Sequence, residues 1–408
     1  MAFYINQTPA TASLSQSPMA YTLYESSNLV TSQSFQYMLD LYFWTGSRTN
    51  SGSASDYTLV KYPNQSNCGI FDVSRIMNSE LNEYAIIDGI DNTKWFTADA
   101  YYQYQSGSVF ITGSKQRDLT HLAIDGYSLF PENVNHQLYQ KTAFFPMLTD
   151  GPATQSVFRD QLVLEKEVYL TNTGNGKVPQ FERYRINYTS GSITNQVVGT
   201  FSIFPIASGS NDQQIARFNV APSQFSTTSY PIINWIEYSI LDQSGSDYSR
   251  PIRFNVVCEQ KYPNIQLMWK NRYGCFDYFN FDMVNRKSFE VNRSQYQPQI
   301  GTFDSTQLDY GSYESSILNY LVDTKEAISV NTNWVSEDYN DIFNQLLVSD
   351  EIYWIYDPEI YAYYGSESGG IKPITIKTNT IQFKTGVVDK VIQYQFDFDY
   401  GQSYKLIL

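Results

Sequence analysis

The sequence predicts a mainly β protein, with two or three antiparallel β-sandwich-like domains and one short helix in the C-terminal part. Three observations lead to this class. Apolar and polar residues alternate with period two in many segments, which is typical of strands with one buried face. Tyr (35) and Phe (25) are abundant while charged residues make up only 17%, and aromatic side chains suit pleated, half-buried surfaces. Helical periodicity, by contrast, is scarce.

The alternating segments place strands along the whole chain. Strands are predicted at about 35–44, 56–62, 95–104, 108–112 and 181–188. The clearest alternation comes near the C-terminus in IQYQFDFDY, which predicts one apolar face formed by Ile392, Tyr394, Phe396, Phe398 and Tyr400. In FQYMLDLYF the corresponding apolar face is formed by Phe35, Tyr37, Leu39, Leu41 and Phe43.

One helix is predicted at about 336–349. Ser336 suits the N-cap, and Glu337 and Asp338 place negative charge in the first turn. The apolar residues that then recur at helical spacing are Tyr339, Ile342, Phe343, Leu346 and Leu347. A second, shorter helical turn is predicted after Ser74.

The length of 408 residues exceeds what one core usually serves, since cores stop growing at roughly 250–300 residues. Shifts in pattern suggest three blocks: an N-terminal β domain at 1–135, a central β domain at 136–290, and a C-terminal β domain at 291–408 that carries the helix.

Charge and targeting patterns exclude several function classes. The net charge of −14 and the absence of a basic run argue against nucleic-acid binding, which depends on Lys and Arg at phosphates. No segment approaches the roughly 18 apolar residues of a membrane span. The N-terminus lacks the basic start and apolar core of a secretory signal, and three widely spaced cysteines imply no disulfide framework. We therefore expect a chain made and folded in a reducing cytoplasm.

Residues that could carry catalysis occur without supporting patterns. The two histidines, His121 and His136, fall in a polar connector and form no metal-binding motif. Cys275 lies among aromatic residues, which favours a buried filler over a nucleophile. We expect no metal, no cofactor and no enzymatic activity.

Two pairs of carboxylates have a spacing that glycoside hydrolysis permits. Residues two apart on one strand face are separated by roughly 6.5–7 Å, close to the separation of such catalytic pairs. Acids alternating with apolar residues are also what any wet strand face shows. The pairs are Glu165 with Glu167 and Asp397 with Asp399.

Two aromatic segments remain, WKNRYGCFDYFNF at 269–281 and EIYWIYDPEIYAYYG at 351–365. The second is apolar on both strand faces, which predicts burial on both sides, either within the domain or by another subunit. A platform for stacking sugars is the alternative. The predicted assembly-interface residues are Trp269, Tyr278, Tyr353, Trp354, Tyr356, Tyr361, Tyr363 and Tyr364.

Four motifs carry a resemblance to a known class of proteins. GIFDVSRI (69–76), LTDGP (148–152), the pattern WxNRxGxFDYFNF (269–281) and LLVSDEIYW (346–354) resemble the β-rich virion structural proteins of tailed bacteriophages. The likeness is to phages of Bacteroidota, including the crAss-like group, and spans most of the chain. These are packing motifs that fit several virion roles.

The resemblance implies a non-enzymatic protein of the neck or tail that assembles as a homo-oligomer. Its partners would be copies of itself and other virion proteins, and its location the virion, assembled in the host cytoplasm. The alternative is a carbohydrate-binding tail-fibre or receptor-binding protein that contacts a host-surface glycan. A third possibility, a glycan-degrading depolymerase, lacks the regular coil-forming repeats expected of such enzymes.

Overall fold

The computed structural model describes residues 3–44, 54–81, 93–128, 148–159, 161–169, 179–200, 215–225, 232–242, 244–257, 262–303, 305–309, 311–358, 370–382, 392–401 and 404–407. The fold is mainly β, as predicted. The chain forms two compact units. Unit 1 comprises Met1–Glu259, Trp269–Tyr278 and Asp341–Leu346, and unit 2 comprises Gln260–Met268, Phe279–Asn340 and Leu347–Leu408. The division into blocks at 1–135, 136–290 and 291–408 stays a prediction.

The N-terminal half of unit 1 forms two sheets. Their strands are β1 (Phe3–Gln7), β2 (Ala12–Leu14), β3 (Ala20–Glu25), β4 (Gln36–Trp44), β5 (Tyr57–Lys61), β6 (Cys68–Asp72), β7 (Thr93–Ser106), β8 (Val109–Thr112), β9 (Gln116–Arg117) and β10 (His121–Ile124). The first sheet has the order β1-β3-β6. The second has the order β2-β10-β7-β4-β5, with β8 and β9 also paired to β7.

The predicted alternation in β4 is confirmed. Tyr37, Leu39 and Leu41 are fully buried and pack into one core with residues of β3, β6 and β7. The predicted helical turn after Ser74 is α1 (Ser74–Glu80). Its start is fixed by the carboxylate of Asp72, which accepts hydrogen bonds from the backbone N–H groups of Ser74 (3.0 Å) and Met19 (3.2 Å).

The rest of unit 1 contains a five-stranded sheet, β11-β17-β16-β13-β14, and the pair β12-β15. The strands are β11 (Thr154–Phe158), β12 (Glu165–Tyr169), β13 (Pro179–Tyr188), β14 (Ile193–Thr200), β15 (Ile215–Asn219), β16 (Ile233–Asp242) and β17 (Ile252–Val257). Most pairs are antiparallel, as predicted. Two pairs, β2-β10 and β11-β17, are parallel because their strands are joined by long stretches of chain, which allow the second strand to return in the same direction.

Unit 2 is built on an eight-stranded sheet with the order β19-β18-β24-β25-β26-β23-β20, in which β27 also pairs with β23. The strands that follow β17 are β18 (Ile265–Lys270), β19 (Phe276–Phe281), β20 (Arg286–Tyr296), β21 (Thr302–Phe303), β22 (Leu308–Asp309), β23 (Leu318–Asn331), β24 (Ile352–Ile355), β25 (Ile371–Ile376), β26 (Gln395–Tyr400) and β27 (Tyr404–Ile407). The predicted apolar face of the last alternating segment is confirmed, since Phe396 and Phe398 are fully buried.

The predicted C-terminal helix is confirmed. It starts as a 3-10 turn, Glu337–Tyr339, and continues as α2 (Asn340–Val348). Two further 3-10 turns span Asn28–Thr31 and Pro222–Gln224. The buried residues of α2 include the predicted Ile342, Phe343 and Leu346, and also the polar Gln345.

Candidate assembly surface

The aromatic residues predicted to form an interface differ in their accessibility. Trp269, Tyr278 and Tyr353 are buried within the chain. Trp354 is half-buried, and Tyr356 is 44% exposed. Tyr361, Tyr363 and Tyr364 lie outside the described residues. An interface in this region would therefore use Trp354 and Tyr356, because the three buried rings already pack inside the protein.

The segment 269–281 forms two strands, β18 and β19, joined by a tight turn. In this turn the backbone N–H of Asn271 donates to the carbonyl of Cys275 (2.7 Å). Gly274 has φ +72°, and a Cβ there would lie 1.9 Å from the carbonyl oxygen of Asp125. Both the left-handed conformation and the close backbone approach require glycine.

A buried polar cluster surrounds this turn. Asp277 accepts hydrogen bonds from Thr149 Oγ1 (2.6 Å) and Asn271 Nδ2 (3.1 Å), and Lys166 Nζ lies 3.5 Å from its Oδ1. Burial raises the pKa of Asp277, while the Lys166 charge and the two hydrogen bonds oppose the rise. Asp277 and Lys166 are almost completely buried, so this pair contributes to packing and offers no surface to a substrate.

A second carboxylate, Asp150, extends the cluster. Arg272 donates to it through two nitrogens, and Gln345 Nε2 donates at 2.6 Å. Gln345 Oε1 in turn accepts from the backbone N–H of Arg272 (3.0 Å), so the buried amide of α2 is satisfied at both ends. Tyr273 also donates to Asp150 (3.1 Å). The network is closed on itself, which indicates a structural role.

His121 and one member of each carboxylate pair make contacts within the protein. His121 lies in β10, so its placement in a polar connector was wrong; it is buried, with Nε2 2.7 Å from Asp118 and Nδ1 3.0 Å from the carbonyl of Ala10. His136 lies outside the described residues. Glu165 accepts from Tyr278 Oη (2.9 Å), and Asp399 pairs with Lys377 at 2.8 Å.

Aromatic and lysine side chains meet on unit 2 to form what we call the rim, composed of Lys287, Trp354, Tyr356, Lys372 and Tyr400. Lys287 Nζ lies 4.5 Å from the centroid of the Trp354 ring. Lys372 Nζ lies 4.8 Å from the Tyr356 centroid and 5.7 Å from those of Trp354 and Tyr400. Cation–π attraction at these distances holds each ammonium against a ring.

The sheet curls to bring the rim together. Trp354 lies on β24 and Lys287 on β20, which are four strand steps apart, or about 19 Å across a flat sheet. The 4.5 Å contact therefore requires strong curvature. Trp354 and Lys372 are direct cross-strand partners, which fixes one side of the rim. Burial raises the pKa of Tyr400 to about 12, and the charge of Glu326 adds to the rise.

The rim lysines differ from most other basic residues described. Within the described residues, neither Lys287 nor Lys372 lies within ion-pair distance of a carboxylate. Lys115, Arg117 and Arg272, for comparison, each contact an aspartate. The rim therefore brings together two lysine charges on a protein of net charge −14, with the carboxylate of Glu326 near Tyr400.

A second accessible feature of unit 2 is the segment 295–320, which we call the arm. It joins the ends of the antiparallel strands β20 and β23 and contains the small hairpin β21-β22. Seven of its large apolar side chains are 42–88% exposed: Tyr296, Phe303, Leu308, Tyr313, Ile317, Leu318 and Tyr320. A cluster of exposed large apolar residues of this kind marks an interaction surface.

The arm has internal order despite this exposure. The carboxylate of Glu314 accepts from the backbone N–H of Gly301 (2.6 Å) and of Gly311 (3.2 Å). Gln295 Nε2 donates to Asn319 Oδ1 (2.9 Å), and the rings of Tyr296 and Tyr320 meet edge to face at 6.3 Å. The exposed apolar side chains are thus carried on a folded segment.

The sequence prediction missed the arm and all but two residues of the rim. A signal for the arm was present, because 295–320 combines several aromatic residues with three acids and no Lys or Arg. The rim lysines carried no such signal, since their meeting depends on the curl of the sheet.

No family model matches the chain, and no curated protein matches it significantly. In the described part of the chain, no three His, Cys, Asp or Glu side chains are grouped so that they could hold a metal ion. Among the described helices, none has both the length and the apolar character needed to cross a membrane.

Proposed function

We propose that this protein is a non-enzymatic structural subunit that assembles with copies of itself in the neck or tail of a tailed-phage virion. The exposed arm carries the proposal. Seven large apolar side chains of one folded segment are open to solvent, and their burial by another copy would stabilise an assembly. The motif resemblance of segments such as GIFDVSRI supports the proposed place in a virion.

Among the described strands, β20 leaves a free edge of its sheet beside the arm, which adds a second support. β20 is the last strand in the order of its sheet, and almost all of its residues are exposed. An exposed edge strand presents unpaired backbone N–H and C=O groups that can pair with another chain. The arm and this edge lie on consecutive parts of the chain, so one partner can cover both.

The mass of the purified chain in solution tests the proposal. We expect light scattering after size exclusion to give a discrete multiple of the 46.9 kDa protomer, stable over a range of protein concentrations. The physical reason is that the exposed apolar area of the arm is removed from water in the assembly. A protomer that stays monomeric at concentrations of about 100 μM, well above typical specific dissociation constants, contradicts self-assembly.

A carbohydrate-binding tail-fibre or receptor-binding protein is the second candidate, and the exposure of Tyr356 beside Trp354 favours it. Sugars stack on open aromatic faces, but lysines already lie against these rings. We expect Trp354→Ala to leave any binding to a host-glycan array unchanged. Loss of glycan binding with unchanged oligomeric mass would instead favour the second candidate. Lys61→Ala, an exposed change in unit 1, serves as the control.

A further inference from the structure

We infer that the arm of one copy binds the rim of the next copy. The inference rests on the proposed self-assembly and identifies the two surfaces that meet. Both lie on unit 2, and each lacks what the other offers. The arm presents apolar and acidic side chains, and the rim presents aromatic rings and two lysines.

Charge complementarity identifies the arm as the occupant of the rim. Residues 295–320 contain three acids (Asp304, Asp309 and Glu314) and no Lys or Arg, so the arm carries a net charge of −3. The rim carries Lys287 and Lys372, which have no carboxylate at ion-pair distance among the described residues. Because whole copies of charge −14 repel one another, a local contact of opposite charges favours this pairing of surfaces over others.

The aromatic side chains of the arm and the rim also suit a contact between them. The exposed rings of Phe303 and Tyr313 on the arm match the rings of Trp354 and Tyr356 on the rim, and aromatic side chains are enriched at the centres of interfaces. The arm does not cover the rim of its own chain, since Tyr313 is 88% exposed and Tyr356 is 44% exposed. The partner surface therefore comes from another copy.

The proposed contact joins two different surfaces, and each copy has one arm and one rim. A two-fold dimer makes the contact twice, since symmetry places the arm of each copy on the rim of the other. Without a two-fold axis the same contact runs head to tail, and it generates a closed ring when the rotation between copies closes and an open filament when it does not. We therefore expect an assembly in which every arm is paired with a rim.

A charge-reversal experiment tests the inference. The rim variant is Lys287→Glu combined with Lys372→Glu, and the arm variant is Asp309→Lys. Glu314 is left unchanged because it caps the arm backbone. We expect each variant alone to assemble at least about tenfold more weakly, because charges of the same sign then face each other at the contact. Mixing the two variants should restore assembly, since the unmodified arm of the rim variant then meets the unmodified rim of the arm variant. In the other contact of the mixture, the lysine introduced at position 309 meets the glutamates of the reversed rim.

The control is Lys61→Glu combined with Lys325→Glu, which reverses two exposed lysines outside the rim and produces the same net charge as the rim variant. Sedimentation velocity gives the assembled fraction, and circular dichroism checks that each variant is folded. Unchanged assembly of the rim variant while the unmodified protein assembles would overturn the arm–rim contact alone. Equal weakening in the control would overturn it too, by assigning the effect to net charge. A monomeric unmodified protein would overturn the proposed function.

Discussion

Lys166→Met is expected to lower the free energy of unfolding by about 3–5 kcal/mol at neutral pH, the cost typical of removing one partner of a buried ion pair. Lys166 and Asp277 are both almost fully buried, with 3.5 Å between Nζ and Oδ1. Met keeps most of the length of the lysine side chain, so little cavity forms. What remains is a buried carboxylate without its cation, which burial strongly disfavours.

The loss should depend on pH, with a sign that follows from the pKa of Asp277. That pKa is raised in the folded protein by burial, above its ordinary value of about 3.9. A raised carboxyl pKa gives stability that is full below the unfolded value and is lost as pH rises through the folded value. Removing Lys166 raises the folded pKa further, so the deficit of the variant should widen as pH rises from about 4 to 7.

Urea unfolding at several pH values measures both effects. Adding Asp277→Asn to Lys166→Met removes the uncompensated charge and should recover a large part of the loss at neutral pH. Lys61→Met, an exposed change, should stay within about 0.5 kcal/mol of the unmodified protein. A deficit in Lys166→Met that is below about 1 kcal/mol, or that does not change with pH, would contradict a stabilising ion pair at this site.

The fold class and several elements could be predicted because their signals are local. Alternation in 35–44 follows directly from the two-residue period of a strand, and the buried Tyr37, Leu39 and Leu41 confirm it. The C-terminal helix carries its own stripe, with Ile342, Phe343 and Leu346 buried. Both patterns predict which face of an element is buried. They do not predict which other elements pack against that face.

Long-range contacts could not be predicted in this way. Thr149, Lys166 and Asp277 are far apart in sequence and meet around one carboxylate. A lysine within an alternating strand predicts a wet face, so the burial of Lys166 was not foreseen. The same limit applies to Trp269, which is fully buried in β18, a position that the aromatic composition of 269–281 did not indicate.

Arm residues were not foreseen for a different reason. An aromatic-rich segment is normally taken as core, because burial of large apolar side chains is the main driving force of folding. In 295–320 large apolar side chains are exposed instead, since the short strands β21 and β22 pair only with each other within the described residues. The exposure became evident only with the structure, and it is the observation that carries the proposal of self-assembly.

Replacing four arm residues is expected to raise the dissociation constant of the assembly at least about 100-fold, equivalent to about 2.7 kcal/mol. The variant carries Phe303→Ser, Leu308→Ser, Tyr313→Ser and Ile317→Ser. Each of these side chains is about half exposed or more in the protomer. Full burial of such a side chain contributes about 1.5–3 kcal/mol, so even partial burial of four exceeds the expected loss. Mass photometry over a dilution series measures the change.

A matched variant separates the arm from apolar surface in general. Val109, Phe110, Ile111 and Leu119 in unit 1 are also exposed, and their replacement by Ser removes the same number of apolar side chains outside the arm. Because the proposed contact involves the arm and the rim, this variant should assemble like the unmodified protein. Equal dissociation of both variants would mean that exposed apolar area drives association without regard to position, which contradicts a specific arm contact. Dissociation of the arm variant alone, with thermal unfolding unchanged in both, is the outcome that self-assembly through the arm requires.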